Sequence, residues 1–166
     1  MTPSPALMQF LDLVGFSEGT STSPITKNNG YDVIVTGING PEIFTDYSDH
    51  PFAHRPPQIV RETPLLESTA AGRYQLLYRY WKVYKVQLSL PDYSPASQDQ
   101  VALQQMKERF AIDLILGGHI QSAIEACATV WASFPGNDYS QGGKTMGELL
   151  SKYQELSSQA ATGIAS

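Results

Sequence analysis

The sequence predicts an α+β fold: a mainly helical body with a small β-hairpin lobe directly after the first helix. Two observations carry this reading. Ser4-Pro5 and Ser94-Pro95 each place an N-cap serine before a proline at the first helical position, and each opens a segment with apolar residues at helical spacing. Between them lies Tyr31-Asp32-Val33-Ile34-Val35-Thr36, β-branched and aromatic, followed by the turn Gly37-Ile38-Asn39-Gly40.

Taken in order, the first helix runs from Ser4-Pro5 to about Ser17 or Glu18, where Gly19 stops it. Residues 19–30 are rich in Gly, Ser, Thr and Asn and read as loop. Ile43-Phe44-Thr45 is the expected return strand of the hairpin lobe, about residues 31–45, with Pro41 confining it to an edge or a late start. Residues 46–68 hold four prolines and read as one long connection, a flap over a cleft. Ser68-Thr69-Ala70-Ala71-Gly72 leads into a second helix, opened by Gly72-Arg73-Tyr74-Gln75, with Leu77, Trp81, Tyr84 and Leu88 on its apolar face. The third helix is expected to bury Leu103, Met106, Phe110 and Leu114 and to stop at Gly117-Gly118. The fourth buries Ile120, Ile124, Cys127 and Trp131 and stops at Phe134-Pro135-Gly136. Thr145-Met146-Gly147-Glu148 is a capping box that opens the fifth, carrying Leu149, Tyr153 and Leu156, with the tail after Ser157 frayed.

The 166 residues suit one domain, or one domain with two lobes, and are enough for a core without staples. A net charge of −5 with no block of like charge argues against a nucleic-acid binder working through a basic surface. One cysteine, Cys127, rules out an intramolecular disulfide and fits synthesis in a reducing cytoplasm. The first residues have neither a basic region nor a long apolar run, and no segment reaches transmembrane length, so neither a leader nor membrane insertion is expected.

The chemistry centres on Phe16-Ser17-Glu18-Gly19-Thr20. Leu7, Leu11, Val14 and Glu18 share one helix face, so the carboxylate continues an apolar stripe. Partial burial and the negative end of the helix dipole both push such a carboxyl pKa upward, as a general acid requires. The alternative is a glutamate at a frayed helix end, turned to solvent. Asp32, Asp46 and Asp49 are candidates for a second carboxylate; the favoured alternative is that Asp32 and Asp46 cap turns and strand ends. Asp46, Asp49, His50 and His54 include zinc-ligand types, but the prolines around them fix no ligand geometry; no metal and no cofactor is assigned. The helix opening at residues 72–75 offers free N–H groups and the Gln75 amide to a ligand, with Arg73 solvated in the alternative view. Asn137 and Tyr139 lie in a loop that can touch substrate, and Trp81, Cys127 and Trp131 read as core.

Ser17-Glu18-Gly19-Thr20, residues 29–35, residues 44–51, residues 68–77, Ser94-Pro95-Ala96-Ser97-Gln98-Asp99, residues 101–105 and residues 131–136 form an ordered set, colinear over most of residues 7–140. Together they resemble the bacteriophage lambda endolysin (lambda lysozyme) family of lytic transglycosylases. The resemblance implies a single lysozyme-like catalytic domain over residues 1–166, acting on bacterial peptidoglycan glycan strands as a monomer. It implies cleavage of the β-1,4 bond between N-acetylmuramic acid and N-acetylglucosamine, leaving a 1,6-anhydro-muramic acid end, and hence host lysis. It makes Glu18 the catalytic residue, Tyr47, Gly72, Arg73, Tyr74, Gln75 and Tyr139 the candidate substrate-binding residues, and residues 51–65 and 135–144 the candidate cleft lips. Synthesis in the host cytoplasm and holin-mediated release to periplasmic peptidoglycan are the corresponding expectations. A hydrolytic muramidase with a second carboxylate, and a non-catalytic peptidoglycan-binding module, are the competing readings.

Overall fold

The computed structural model describes residues 3–136 and 143–165, with side chains through residue 161. Its elements are α1 (Pro5–Glu18), β1 (Val33–Gly37), β2 (Gly40–Ile43), β3 (Gln58–Arg61), β4 (Leu66–Ser68), β5 (Ala70–Ala71), β6 (Leu76–Leu77), α2 (Tyr78–Gln87), α3 (Pro95–Glu108), α4 (Ile112–Leu116), α5 (Ile120–Cys127) and α6 (Met146–Ala165). The architecture is α+β, as predicted, and the chain divides into two units, Met1–Ser17 with Ala102–Ser166, and Glu18–Val101.

The first unit is helical. Ser4 starts α1 as its spacing predicts: the Ser4 carbonyl accepts the Met8 N–H at 3.0 Å and its hydroxyl the Leu7 N–H at 3.4 Å. Phe10, Leu11, Leu13 and Val14 are all fully buried, a wider face than the single predicted stripe. Phe10 meets Phe134 edge-on at 6.1 Å, and Phe134 meets Trp131 at 5.8 Å. Ile120, Ile124, Cys127 and Trp131 are buried as predicted, and burial pushes the Cys127 thiol up to about 12, that of an inert core residue. The capping box is complete: Glu148 accepts the Thr145 N–H at 3.0 Å and Thr145 accepts the Glu148 N–H at 3.1 Å. α6 then continues to Ala165, so the backbone beyond Ser157 is helical where fraying is predicted.

The predicted third helix is in fact two. α3 ends at Glu108, and the Ala111 N–H closes back on the Met106 carbonyl at 2.9 Å. Phe110 occupies the left-handed position of this Schellman-type stop, at φ +58°, and is 85% exposed instead of buried. A bulky L-residue there carries strain that glycine does not. Phe110→Gly is therefore expected to stabilise the protein by about 1 kcal/mol, the relief outweighing glycine's entropy cost. A rise in the thermal midpoint of about 2–4 °C measures it.

The second unit holds the sheets, α2 and the start of α3. Its four-stranded sheet has the order β2-β1-β5-β6, all neighbours antiparallel, and β3 and β4 form a separate hairpin. β2 is an edge strand, as Pro41 demands, but it begins at Gly40 and contains the proline instead of starting after it. In β1–β2, Val33 faces Ile43 and Ile34 faces Glu42. The predicted flap of residues 46–68 is more ordered than a bare connection. It contains a 3₁₀ turn at Pro51–Ala53 and then the β3–β4 hairpin. Arg55 bridges to Glu42 and donates to Gln58 at 3.2 Å, and the Ile38 N–H donates to the Ile59 carbonyl at 3.0 Å, fastening this hairpin to the first.

The larger correction concerns residues 70–77. They are two short strands around the turn Gly72–Gln75, not the start of a helix, and α2 begins only at Tyr78. The core behind them comprises Ile34, Phe44, Phe52, Ala71, Leu76, Trp81, Tyr93 and Val101. His50 lies inside it, 1% exposed, its Nδ1 accepting the Phe52 N–H at 3.1 Å and its Nε2 donating to the Leu76 carbonyl at 2.8 Å. Burial pushes His50 down to about 4 from the usual 6.5. Between these values the unfolded chain takes up a proton that the native His50 refuses, so stability is full above pH 6.5 and falls as pH drops toward 4. The loss from this group approaches about 3 kcal/mol. Urea midpoints titrated from pH 7 to pH 4 are expected to fall steeply, and His50→Gln is expected to flatten that fall.

Candidate functional site

Glu18 is the last residue of α1, with a half-buried side chain. Leu11 and Val14 of its predicted stripe are fully buried, so the carboxylate does continue an apolar face. Gly19 turns the chain out of the helix at φ +78°. The residues on either side of Glu18 and Gly19 are anchored. Ser17 Oγ lies 2.8 Å from Ser133 Oγ within the helical unit. Within the second unit Thr20 is 2% exposed and its hydroxyl donates to the Arg73 carbonyl.

A second support for Thr20 comes from Gly30. With Asn29 at φ +51° and Gly30 at φ +89°, the Asn-Gly pair makes a tight turn. A Cβ on Gly30 would stand 2.7 Å from the Thr20 carbonyl carbon and 2.8 Å from the Ser21 nitrogen, so the two backbones touch. Asp32 organises the same loop. It is 3% exposed, accepts the Thr26 hydroxyl on one oxygen and the Lys27 N–H at 2.9 Å on the other.

The turn Gly72–Gln75 has two left-handed residues, Gly72 at φ +88° and Gln75 at φ +53°. Gly72 donates to the Val33 carbonyl at 2.8 Å, and the Gln75 amide donates to the Gly72 carbonyl at 2.9 Å and the Val33 carbonyl at 3.3 Å. The free helix N–H groups expected here do not exist, because no helix starts here. Nor is Arg73 solvated: it is 3% exposed, its guanidinium 5.2 Å over the Tyr31 ring and 5.7 Å from the Tyr74 ring. Tyr74 is buried, and burial first, then Asp99, raise its pKa against the pull of Arg73. Of the substrate-binding candidates, Gly72, Arg73, Tyr74 and Gln75 thus make the hydrogen bonds of a turn tied to Thr20.

Tyr47 is half-buried, packs on Phe44 at 5.1 Å and accepts the Asn28 amide at 3.0 Å. Tyr139 and Asn137 lie outside the described residues, as does most of the 135–144 lip. Asp46 is exposed and caps its own turn by accepting the Ser48 N–H at 2.9 Å. Asp49 accepts the Trp81 indole N–H at 2.8 Å and sits 3.5 Å from the Lys85 ammonium. Burial opposes the charge on Asp49, but these partners with the His50 amide hold it below the usual carboxylate range. Among the described residues no three His, Cys, Asp or Glu side chains form a cluster suited to a metal ion, and no helix is long and apolar enough to cross a membrane.

The endolysin family model matches residues 8–160. The chain belongs to the endolysin family. It is 53% identical to the endolysin of Escherichia phage P2 over 146 residues, covering 87% of this chain and 88% of the relative. It is 50% identical to that of Escherichia phage lambda over 147 residues, covering 88% and 87%. Among solved structures, bacteriophage lambda lysozyme complexed with a chitohexasaccharide aligns with a TM-score of 0.83 at 47% identity, over 95% of this chain and 97% of that one. The lysozyme-like α+β fold is therefore established, and with it an endolysin of the peptidoglycan-cleaving glycosidase class. In this endolysin, sequence reasoning passed over Thr20 and Gly30. The Asn29-Gly30 pair signals a turn, but nothing local shows that its backbone rests on Thr20.

Proposed function

We propose that this endolysin cleaves the β-1,4 bond between N-acetylmuramic acid and N-acetylglucosamine by lytic transglycosylation, with Glu18 as acid and then base. The observation that carries the reading is the setting of Glu18: a half-buried carboxyl at the end of α1, followed by a chain pinned at Thr20. Glu18 protonates the glycosidic oxygen as the bond to the anomeric carbon breaks. The substrate's own N-acetyl group meets the positive charge at that carbon, one of the exceptions to the two-carboxylate scheme. The Glu18 carboxylate then takes the proton of the C6 hydroxyl, whose oxygen closes on the anomeric carbon. Acid and base are restored, and no water enters the product.

The hairpin aspartates support one carboxyl group over two. Asp32 is buried in its turn and Asp49 is held by Trp81 and Lys85. A hydrolase would need one of them, or Asp46, to position water. The solved lambda lysozyme is complexed with a chitohexasaccharide, which supports a β-1,4-linked glycan as the ligand class here; action as a monomer is part of the proposal. We assign sugar contact to Tyr47 and Tyr139, and to Gly72–Gln75 the shaping of the chain beside Thr20. Synthesis in the host cytoplasm and holin-mediated release to the periplasmic wall complete the proposal.

Digestion of purified Gram-negative peptidoglycan, with products read by mass spectrometry, tests it. Muropeptides ending in 1,6-anhydro-muramic acid, one water lighter than reducing ones, are expected. Reducing ends would assign hydrolysis instead, and binding without products would assign a non-catalytic module.

A further inference from the structure

Gln98 and Asp99 lie in the first turns of α3, in a stretch singled out by sequence, Ser94-Pro95-Ala96-Ser97-Gln98-Asp99, to which the reaction assigns no role. Their contacts converge on the two segments that hold Thr20. Asp99 Oδ1 accepts the Tyr31 hydroxyl at 2.8 Å and the Tyr74 hydroxyl at 2.6 Å. Gln98 Oε1 accepts the Arg73 N–H at 2.9 Å, and its amide donates to the Tyr31 carbonyl at 3.1 Å and the Tyr93 carbonyl at 3.0 Å. Gly72 makes room for this: a Cβ there would fall 2.4 Å from Gln98 Oε1. Tyr31 follows Gly30, whose backbone rests on Thr20, and Arg73 supplies the carbonyl that Thr20 binds. Both paths from α3 therefore end at the residue two positions after Glu18.

We infer that Gln98 and Asp99 are positioning residues for Glu18, a clasp that sets the backbone of residues 18–20 through the Tyr31 and Arg73–Tyr74 segments. This rests on Glu18 being the acid. The physical basis is that two side chains from one rigid helical turn fix both supports at once. One carboxylate oxygen accepts both tyrosine hydroxyls, and one amide spans both backbones. Charge-assisted bonds from a buried tyrosine pair are stronger than neutral ones. Loosening them lets the acid drift from the glycosidic oxygen, where an ångström costs up to about a hundredfold in rate.

Asp99→Asn keeps an acceptor oxygen but loses the charge. Its expected result on a soluble peptidoglycan glycan is a kcat lower by about tenfold with KM within twofold. Thr20→Val, which removes the hydroxyl bound to Arg73, is expected to show a similar loss. The double variant is expected to lose little more than Asp99→Asn alone, because Asp99 holds both paths and Thr20→Val breaks the far end of one of them. His50→Gln, in the core of the same unit, serves as the stability control: it lowers the urea midpoint and leaves kcat unchanged. Full kcat in Asp99→Asn, or multiplicative losses in the double variant, would overturn the clasp. So would an equal kcat loss in His50→Gln, which would make the effect one of stability alone. Where Asp99→Asn fails to fold, Gln98→Glu, which leaves an acceptor for Arg73 and removes the amide donor, is read by the same kcat and KM split. An active Glu18→Gln would remove the assignment of the acid instead, a result distinct from each of these.

Discussion

Glu18→Gln is expected to abolish wall lysis while leaving the fold intact. The substitution keeps the size and most of the polarity of a half-buried side chain at the end of α1, so its stability change should stay within about 1 kcal/mol. The amide has no proton to give the glycosidic oxygen and cannot take one from the C6 hydroxyl. Both halves of the proposed reaction depend on the same group, so no partner compensates. General acid–base catalysis contributes about 10²–10⁴-fold, and a loss of about 10³-fold corresponds to about 4 kcal/mol in the barrier. Turbidity loss of purified cell walls, with circular dichroism and a urea titration on the same preparation, is the measurement. A folded Glu18→Gln protein that clears walls at the parent rate would move the acid elsewhere.

Gly30→Ala is expected to be the most damaging small substitution in the second unit. The added methyl meets backbone, the Thr20 carbonyl carbon at 2.7 Å and the Ser21 nitrogen at 2.8 Å, and backbone has no rotamer by which to yield. The left-handed φ of +89° adds strain for any L-residue. Together about 3 kcal/mol of stability should be lost, from about 1 for the backbone and the remainder for the forced contact. Gly40 is the control. It also has a positive φ, +100°, but a Cβ there meets nothing within 4 Å, so Gly40→Ala should carry only the conformational part. The difference between the two urea midpoints isolates the close approach. Because the displaced backbone is that of Thr20, Gly30→Ala should also lower kcat in whatever fraction remains folded, and Gly40→Ala should not.

The sequence shows where capping chemistry is local. Ser4-Pro5, Ser94-Pro95 and the Thr145–Glu148 box act through groups three or four residues apart, Gly19 acts through its own left-handed φ, and each sits where the pattern places it. The apolar set of α5 is similarly legible, because one helix face meets one core. Three features were not legible. Ala70-Ala71-Gly72-Arg73-Tyr74-Gln75-Leu76-Leu77 has good helix formers and no β-branched residue, yet it is a hairpin, since β1 supplies the carbonyl that Gly72 and Gln75 bind. Phe110 follows the helical spacing of α3, but the chain has already turned out of the helix there without a glycine to announce it. Gln58-Ile59-Val60-Arg61 is strand-like in composition, and the prolines before and after it concealed the hairpin.

The candidate site divides in the same way. Glu18 is a candidate from sequence because its stripe, its helix stop and its place in the endolysin pattern all lie within a few residues. By itself the sequence determined the family, the α+β class, the acid candidate and the caps that start and end its helices. Each of these depends on composition or on short-range spacing. Only the tertiary structure decided that Arg73 and Tyr74 turn inward, that Asp32 and His50 are internal, and that Gly30, Gln98 and Asp99 converge on Thr20. The partners in those contacts stand up to 68 residues apart in the chain: hydrogen bonds join residues separated by 53, 67 and 68 positions. Buried polar groups take whatever partner the fold brings within about 3 Å, and chain order does not record that proximity.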